Sequence, residues 1–263
     1  MFDALFTTTT EYKKLSHALS GKGACALFGL PASGRAQVYA ALCRQLDKPL
    51  CIVTPGEAEA TRFAADLNTL GIPAAVFPAR DYVLRPIEGT AREYEYRRLA
   101  VLGELVGGRL RAVAVPAEAL TQFTTPKEDF CANTRTLHAG DTLLRDDLLA
   151  ALFGAGYTRR AQVDGPGQFS VRGDIVDIFA PDQKMPVRME FWGDEIDTLH
   201  TFDLTTQRRE DAIDKFYLSP AREVLFGKPA DAAEQLRAFL AKQRGKKKTA
   251  MADCMAADLD LLD

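Results

Sequence analysis

The sequence predicts an α/β layer interrupted by a small α+β unit built on an antiparallel sheet. Three observations carry this expectation. Up to about residue 125, short apolar runs alternate with longer stretches of helical composition. Strand and helix in alternation imply a mostly parallel sheet covered by helices. Around Thr124-Thr125-Pro126-Lys127 that rhythm stops. From Phe169 to Leu204 the pattern becomes a period-two alternation broken by turn residues, as antiparallel strands require.

In the first part, 24–30, 49–55, 74–79 and 111–117 read as buried strands, and 36–46, 58–70 and 91–106 as helices. Cys25 and Cys51 fall in the strand-like runs and are expected to be small buried side chains. Arg92, Arg97 and Arg98 lie near Glu93 and Glu95, and read as a solvated helix face with charge pairing. In the second part, 141–153 reads as a helix capped by Asp141-Thr142 and closed at Gly154-Ala155-Gly156. Three antiparallel strands follow, joined by turns at 181–184 and 193–195. After Gln207, 212–219 reads as a strand and 232–243 as an amphipathic helix. The predicted domains are 1–125, an inserted unit at 126–205, and 206–263 returning to the first domain. The acidic end of the chain has no obvious closing element, so the sequence reads as the front of something larger.

Composition bounds the function. The net charge is −3, whereas a dedicated nucleic-acid binder is usually basic overall. No apolar run reaches the roughly 20 residues that cross a bilayer, and no secretion leader precedes the first domain. The cytoplasm is the expected compartment. The five cysteines form no CxxC pair, which argues against a zinc site or a disulfide framework. His17, His138 and His200 have no ligand or triad spacing and read as surface or structural histidines.

Gly29-Leu30-Pro31-Ala32-Ser33-Gly34-Arg35-Ala36 has the spacing of a phosphate-binding loop between a strand and a helix. Both working side chains are absent. Arg35 stands where lysine would reach the terminal phosphates, and Ala36 stands where a hydroxyl would hold Mg²⁺. Gly29, Ser33, Gly34, Arg35 and Ala36 are therefore read as a degenerate loop that does not hydrolyse ATP and needs no cofactor. Helix-start amides could still attract an anion, which leaves weak nucleotide binding without turnover as the alternative. Asp194-Glu195 follows a glycine after an alternating strand, and reads as a turn rather than the acidic pair of an ATPase.

The middle strand, 187–192, sets Val187, Met189 and Phe191 on one face and Arg188, Glu190 and Trp192 on the other. A one-residue slip would invert both sets. The first set makes the better core, so an arginine and the only tryptophan are expected on an open face. Both residue types are enriched in interface hot spots. The pattern suggests docking on another protein, with no chemistry implied.

RGDIVDIF (172–179), VRMEFWGDEIDTLHTFD (187–203) and TTQR (205–208) resemble the signature shared by the excision-repair protein UvrB and the N-terminal region of bacterial transcription-repair coupling factors. The resemblance implies a degenerate, RecA-like ATPase domain interrupted by an inserted domain that recruits UvrA to a stalled RNA polymerase. It places the UvrA contacts on Arg172, Arg188 and Trp192, the last in place of the family's usual phenylalanine. It implies contacts with RNA polymerase and DNA through a more C-terminal part of the full-length protein, an ATP-dependent translocase. UvrB itself has an intact phosphate loop and a long tyrosine-rich hairpin, for which the stretch from Pro78 to Thr90 is too short. A UvrB-like, nucleotide-dependent binder of damaged DNA is the alternative reading.

Overall fold

In the computed structural model, residues 7–21, 24–46, 48–80, 92–225, 234, 237–239 and 241–242 are described. The first layer contains helices α1 (Thr10–Ser20), α2 (Ala32–Gln45), α3 (Glu57–Thr69) and α4 (Glu93–Val106), with strands β1 (Leu50–Thr54), β2 (Ala74–Val76) and β3 (Ala112–Pro116). The three strands are parallel, in the order β1-β3-β2. Every residue of β3 is buried, which its unbroken apolar sequence demands of a central strand covered on both faces.

Helix α3 shows how sequence sets this layer. Glu57 and Glu59 lie in its first turn, where they complement the helix dipole. Ala60, Phe63, Ala64 and Leu67 recur at helical spacing and are buried. Phe63 and Leu67 pack with Ala36, Ala40 and Cys43 of α2 over Ile52 of β1. At the exit, the Asn68 amide donates to the Ala74 carbonyl (2.8 Å) and accepts from the Ala74 N–H (3.1 Å), tying the helix end to β2. On the opposite face, Val101 of α4 packs with Phe77, Val113 and Val115.

Short helices α5 (Ala117–Leu120) and α6 (Lys127–Ala132) lead to the second unit. It comprises β4 (Arg135–His138), α7 (Arg145–Gly154), β5 (Thr158–Arg159), β6 (Gln168–Arg172), β7 (Ile175–Phe179), β8 (Val187–Trp192), β9 (Glu195–Phe202), β10 (Arg209–Ala212) and β11 (Lys215–Leu218). Strands β5 to β10 form one six-stranded sheet in sequence order, and β11 pairs with β4 separately. Only β5·β6 is parallel within the larger sheet. Leu148 and Leu152 of α7 pack on Phe169, Val176, Met189 and Leu199 to make the main core. Hydrogen bonding of this unit thus runs beyond residue 205, through β10 and β11.

The structure corrects several expectations. The segment 24–30 forms no strand, and Leu27 and Phe28 are exposed. A RecA-like sheet that starts there is not reproduced among the described residues. Cys25 and Cys51 are exposed: the first lies outside any strand, and the second sits on the uncovered face of edge strand β1. The reading of 169–179 as one strand fails, because Gly173 (φ +61°) makes a two-residue turn between β6 and β7. Helix α7 begins four residues later than expected. Asp141 Oδ2 accepts from the His138 N–H, and the Leu143 N–H donates to the Asp194 carbonyl, so 141–143 lie along the β8–β9 hairpin. Residues 81–91, most of residues 232–243 and the tail beyond lie outside the described residues.

Arg98 is the largest departure. It is fully buried rather than part of a solvated face. Its Nε and Nη2 donate to Glu223 (2.8 and 2.7 Å), and Nη1 donates to the Pro78 carbonyl (2.7 Å). The guanidinium carbon lies 4.0 Å from the Phe77 ring centroid. Arg80 adds a second arginine on Glu223, at 2.7 Å. This network fastens the end of the second unit to the first layer. Burial pushes the Glu223 carboxyl up, but the Arg98 and Thr124 hydrogen bonds and the Arg98 and Arg80 charges outweigh it, so its pKa lies below the ordinary value. The pair therefore contributes fully above the unfolded carboxyl's pKa of about 4.3 and is lost as pH falls through the lower folded value. Glu223→Gln, which leaves Arg98 uncompensated, should destabilise by about 3–5 kcal/mol in urea unfolding at neutral pH. Its deficit against the native chain should shrink on acidification.

Candidate docking surface

The alternation of β8 follows the expected register. Val187, Met189 and Phe191 are buried in the main core, while Trp192 is 82% exposed. The register shift against β9 falls between Glu190 and Phe191. Gly193 (φ +62°) and Asp194 close a two-residue hairpin in which Trp192 pairs with Glu195, so the indole stands at the tip.

The polar side of β8 is less open than its sequence suggests. Arg188 is directly opposite Asp177 on β7. Its Nε donates to Asp177 Oδ1 (2.7 Å) and its Nη2 to Oδ2 (3.0 Å), a bidentate pair. The guanidinium carbon lies 4.8 Å from the Phe202 ring centroid, and Nη1 donates to the Gln207 carbonyl (3.2 Å). Only 11% of the Arg188 side chain is accessible, so the expectation of an arginine on an open face is corrected. The Asp177 hydrogen bonds raise the Arg188 pKa despite burial. Glu190 is engaged as well, by Arg209 of β10 and by the Thr198 hydroxyl. Trp192 is the residue of this row that projects.

Arg172 closes the cluster. It ends β6 beside the Gly173 turn, and its Nη2 donates to Asp177 Oδ2 at 2.8 Å. Its head is half-exposed, whereas Asp177 is buried. The structure thus unites Arg172 and Arg188 on one carboxylate and leaves Trp192 at the hairpin tip. Two organising residues were missed. Asp177 sits inside the apolar-looking IVDIF run, where a lone buried acid is itself the signal that cationic partners are near. Gln207 adopts φ +59°, uncommon for a non-glycine residue, and this turn carries its carbonyl onto Arg188. Asp203 Oδ1 accepts the N–H groups of Thr205 and Thr206 and shapes that turn.

The segment 29–36 is mostly helical. Gly29 has φ +83°, but α2 already starts at Ala32, with Pro31 at its N-cap. Ser33, Gly34, Arg35 and Ala36 therefore lie inside the helix. The Arg35 N–H donates to the Pro31 carbonyl (3.0 Å), its guanidinium lies 4.0 Å from Glu59, and Ala36 is packed in the core. Among the described residues, no group of three or more His, Cys, Asp or Glu side chains could hold a metal ion, and no helix is long and apolar enough to cross a membrane.

Residues 136–224 match the UvrB interaction domain family. The match covers about a third of the chain. It runs from β4 to the residue after Glu223, so its end coincides with the anchor on Arg98. The wider chain is similar to transcription-repair-coupling factors, with 28% identity to that of Bacillus subtilis over 84% of this chain and 19% of the relative. With that of Myxococcus xanthus, identity is 35% over 75% of this chain and 17% of the relative. The UvrABC system protein B of Chlorobium limicola is 28% identical over 80% of this chain and 32% of its own length. The chain thus spans about a fifth or less of the coupling factors it matches and corresponds to their N-terminal, UvrB-like module.

Arg188→Ala should leave a buried Asp177 with half its cationic support and destabilise the fold by about 3 kcal/mol. Arg172→Ala, at a half-exposed pair, should cost about 1 kcal/mol or less. Urea unfolding of the two variants checks the ranking.

Proposed function

We propose that this chain is the UvrA-binding module of a transcription-repair coupling protein, acting through a protein–protein interface without ATP hydrolysis of its own. The observation that carries this reading is the exposed Trp192, held on a two-residue hairpin of a well-packed sheet. Leaving a large indole in water on a firm scaffold suits a hot-spot anchor, whose burial on a partner recovers the apolar contact. Arg172 supplies a half-exposed cation on the same sheet and would meet an acidic patch on UvrA. Arg188 acts behind them as a positioning residue, through Asp177. Contacts with RNA polymerase and DNA would belong to a larger protein of which this module is one part.

The similarity to the UvrABC system protein B supports a second reading, a nucleotide-dependent binder of damaged DNA. Arg35 and Ala36 stand against it, as does the early start of α2.

Trp192→Ala should weaken UvrA binding by about 2 kcal/mol or more in calorimetric titration and leave the melting temperature unchanged. Native-like affinity of this variant would remove the proposed contact. With ATP and Mg²⁺, phosphate release should not exceed that of Arg35→Ala; robust turnover lost in that variant would favour the second reading.

A further inference from the structure

Tyr96, Ala100 and Gly103 lie along one face of α4 at helical spacing. Two of these positions approach the second unit closely. A Cβ on Gly103 would lie 3.2 Å from Asp182 Oδ2, and one on Gly167 would lie 2.7 Å from the Tyr96 hydroxyl. Asp182 belongs to the connection between β7 and β8, and Gly167 directly precedes β6. One oxygen of Asp182 is satisfied, because the Ser219 hydroxyl donates to Oδ1 at 2.6 Å. The other, Oδ2, is buried and has no hydrogen-bond partner among the described residues. From the first layer Glu104 repels this carboxylate and Arg109 attracts it. Tyr157 faces it from the second unit, with its hydroxyl donating to the Ser219 carbonyl at 2.7 Å.

Burying a carboxylate oxygen without a donor is costly, and protonation relieves that cost. Burial pushes the Asp182 carboxyl above its ordinary pKa, and the Ser219 hydrogen bond, its own backbone N–H and the Arg109 charge offset this only in part. Glu223 has the opposite bias at the other contact between the units, where two arginines favour its charged form.

We propose that the α4 contact is a charge-operated joint: neutral Asp182 lets α4 close on the second unit, ionised Asp182 loosens that contact, and the Glu223 anchor stays as the pivot. Loosening would change how the first layer carries the second unit's sheet, whatever that sheet binds. The sign follows from the closed state being the one in which Asp182 is harder to ionise. Closure is fully favoured below the ordinary carboxyl value of about 3.9, and the advantage is lost as pH rises through the raised closed-state value.

Hydroxyl-radical labelling of the 263-residue chain between about pH 4 and pH 8, read by mass spectrometry, tests the proposal. Tyr96 reports the joint, and Met189, fully buried in the main core, reports global unfolding. The open fraction read at Tyr96 should rise by up to about tenfold per pH unit and then level, while Met189 stays unlabelled. Asp182→Asn carries no charge and should hold Tyr96 at its low-pH level throughout. Ser219→Ala removes the donor to Oδ1 and should carry the rise on to higher pH. Tyr96 labelling that ignores pH, the same rise in Asp182→Asn, or Met189 labelling that climbs in step with Tyr96 would each overturn the proposal.

Discussion

Glu223 is the carboxylate on which the arrangement of the two units rests. It is fully buried, far from the first layer in sequence, and bound by Arg98 and Arg80 of that layer. Taking an arginine and a glutamate out of water is costly, and only near-complete hydrogen bonding offsets it. The Pro78 carbonyl, the Gln122 amide oxygen and the Phe77 ring complete the coordination of Arg98. Because the geometry is so specific, the chain leaving β11 has one place to go. Thr125 reinforces that path by donating to the Glu223 carbonyl.

Asp177 repeats the same device inside the second unit, again with one carboxylate and two arginines. The difference lies in exposure. At Glu223 Arg98 is sealed and the pair serves the fold. At Asp177 one arginine is packed on Phe202 and the other reaches solvent. That gradation turns a structural ion pair into the base of a surface. Strength and access are divided between two side chains, and the hairpin of the same sheet carries an exposed indole.

Much of this was legible in the sequence where one force dominated. The β8 register followed from apolar alternation, because three good core residues on one face leave a single sensible burial. The parallel layer followed from its alternating apolar runs, and 112–116 was read correctly as a buried strand. Errors arose where long-range partners decide. Arg98 sits among other charges, and nothing near it in sequence announces a glutamate 125 positions away. Segment 24–30 has strand composition but no neighbour to pair with in the described sheet. Gly173 was overlooked because the whole run around it was taken as one strand, although Arg172 and Asp174 flank it, and its positive φ splits that strand into two. Arg188 was placed on the correct face, but the turn that covers it depends on the backbone of Gln207, which composition does not reveal.

The exposed indole also has an optical consequence. Trp192 is the only tryptophan of the chain, so its emission comes from one ring bathed in water at the hairpin tip. Water relaxes the excited indole dipole and keeps that emission at long wavelength. A protein that covers the tip would strip this solvent and move the spectrum toward the blue, without any added label. The molecule therefore carries a native spectroscopic gauge of what covers that tip.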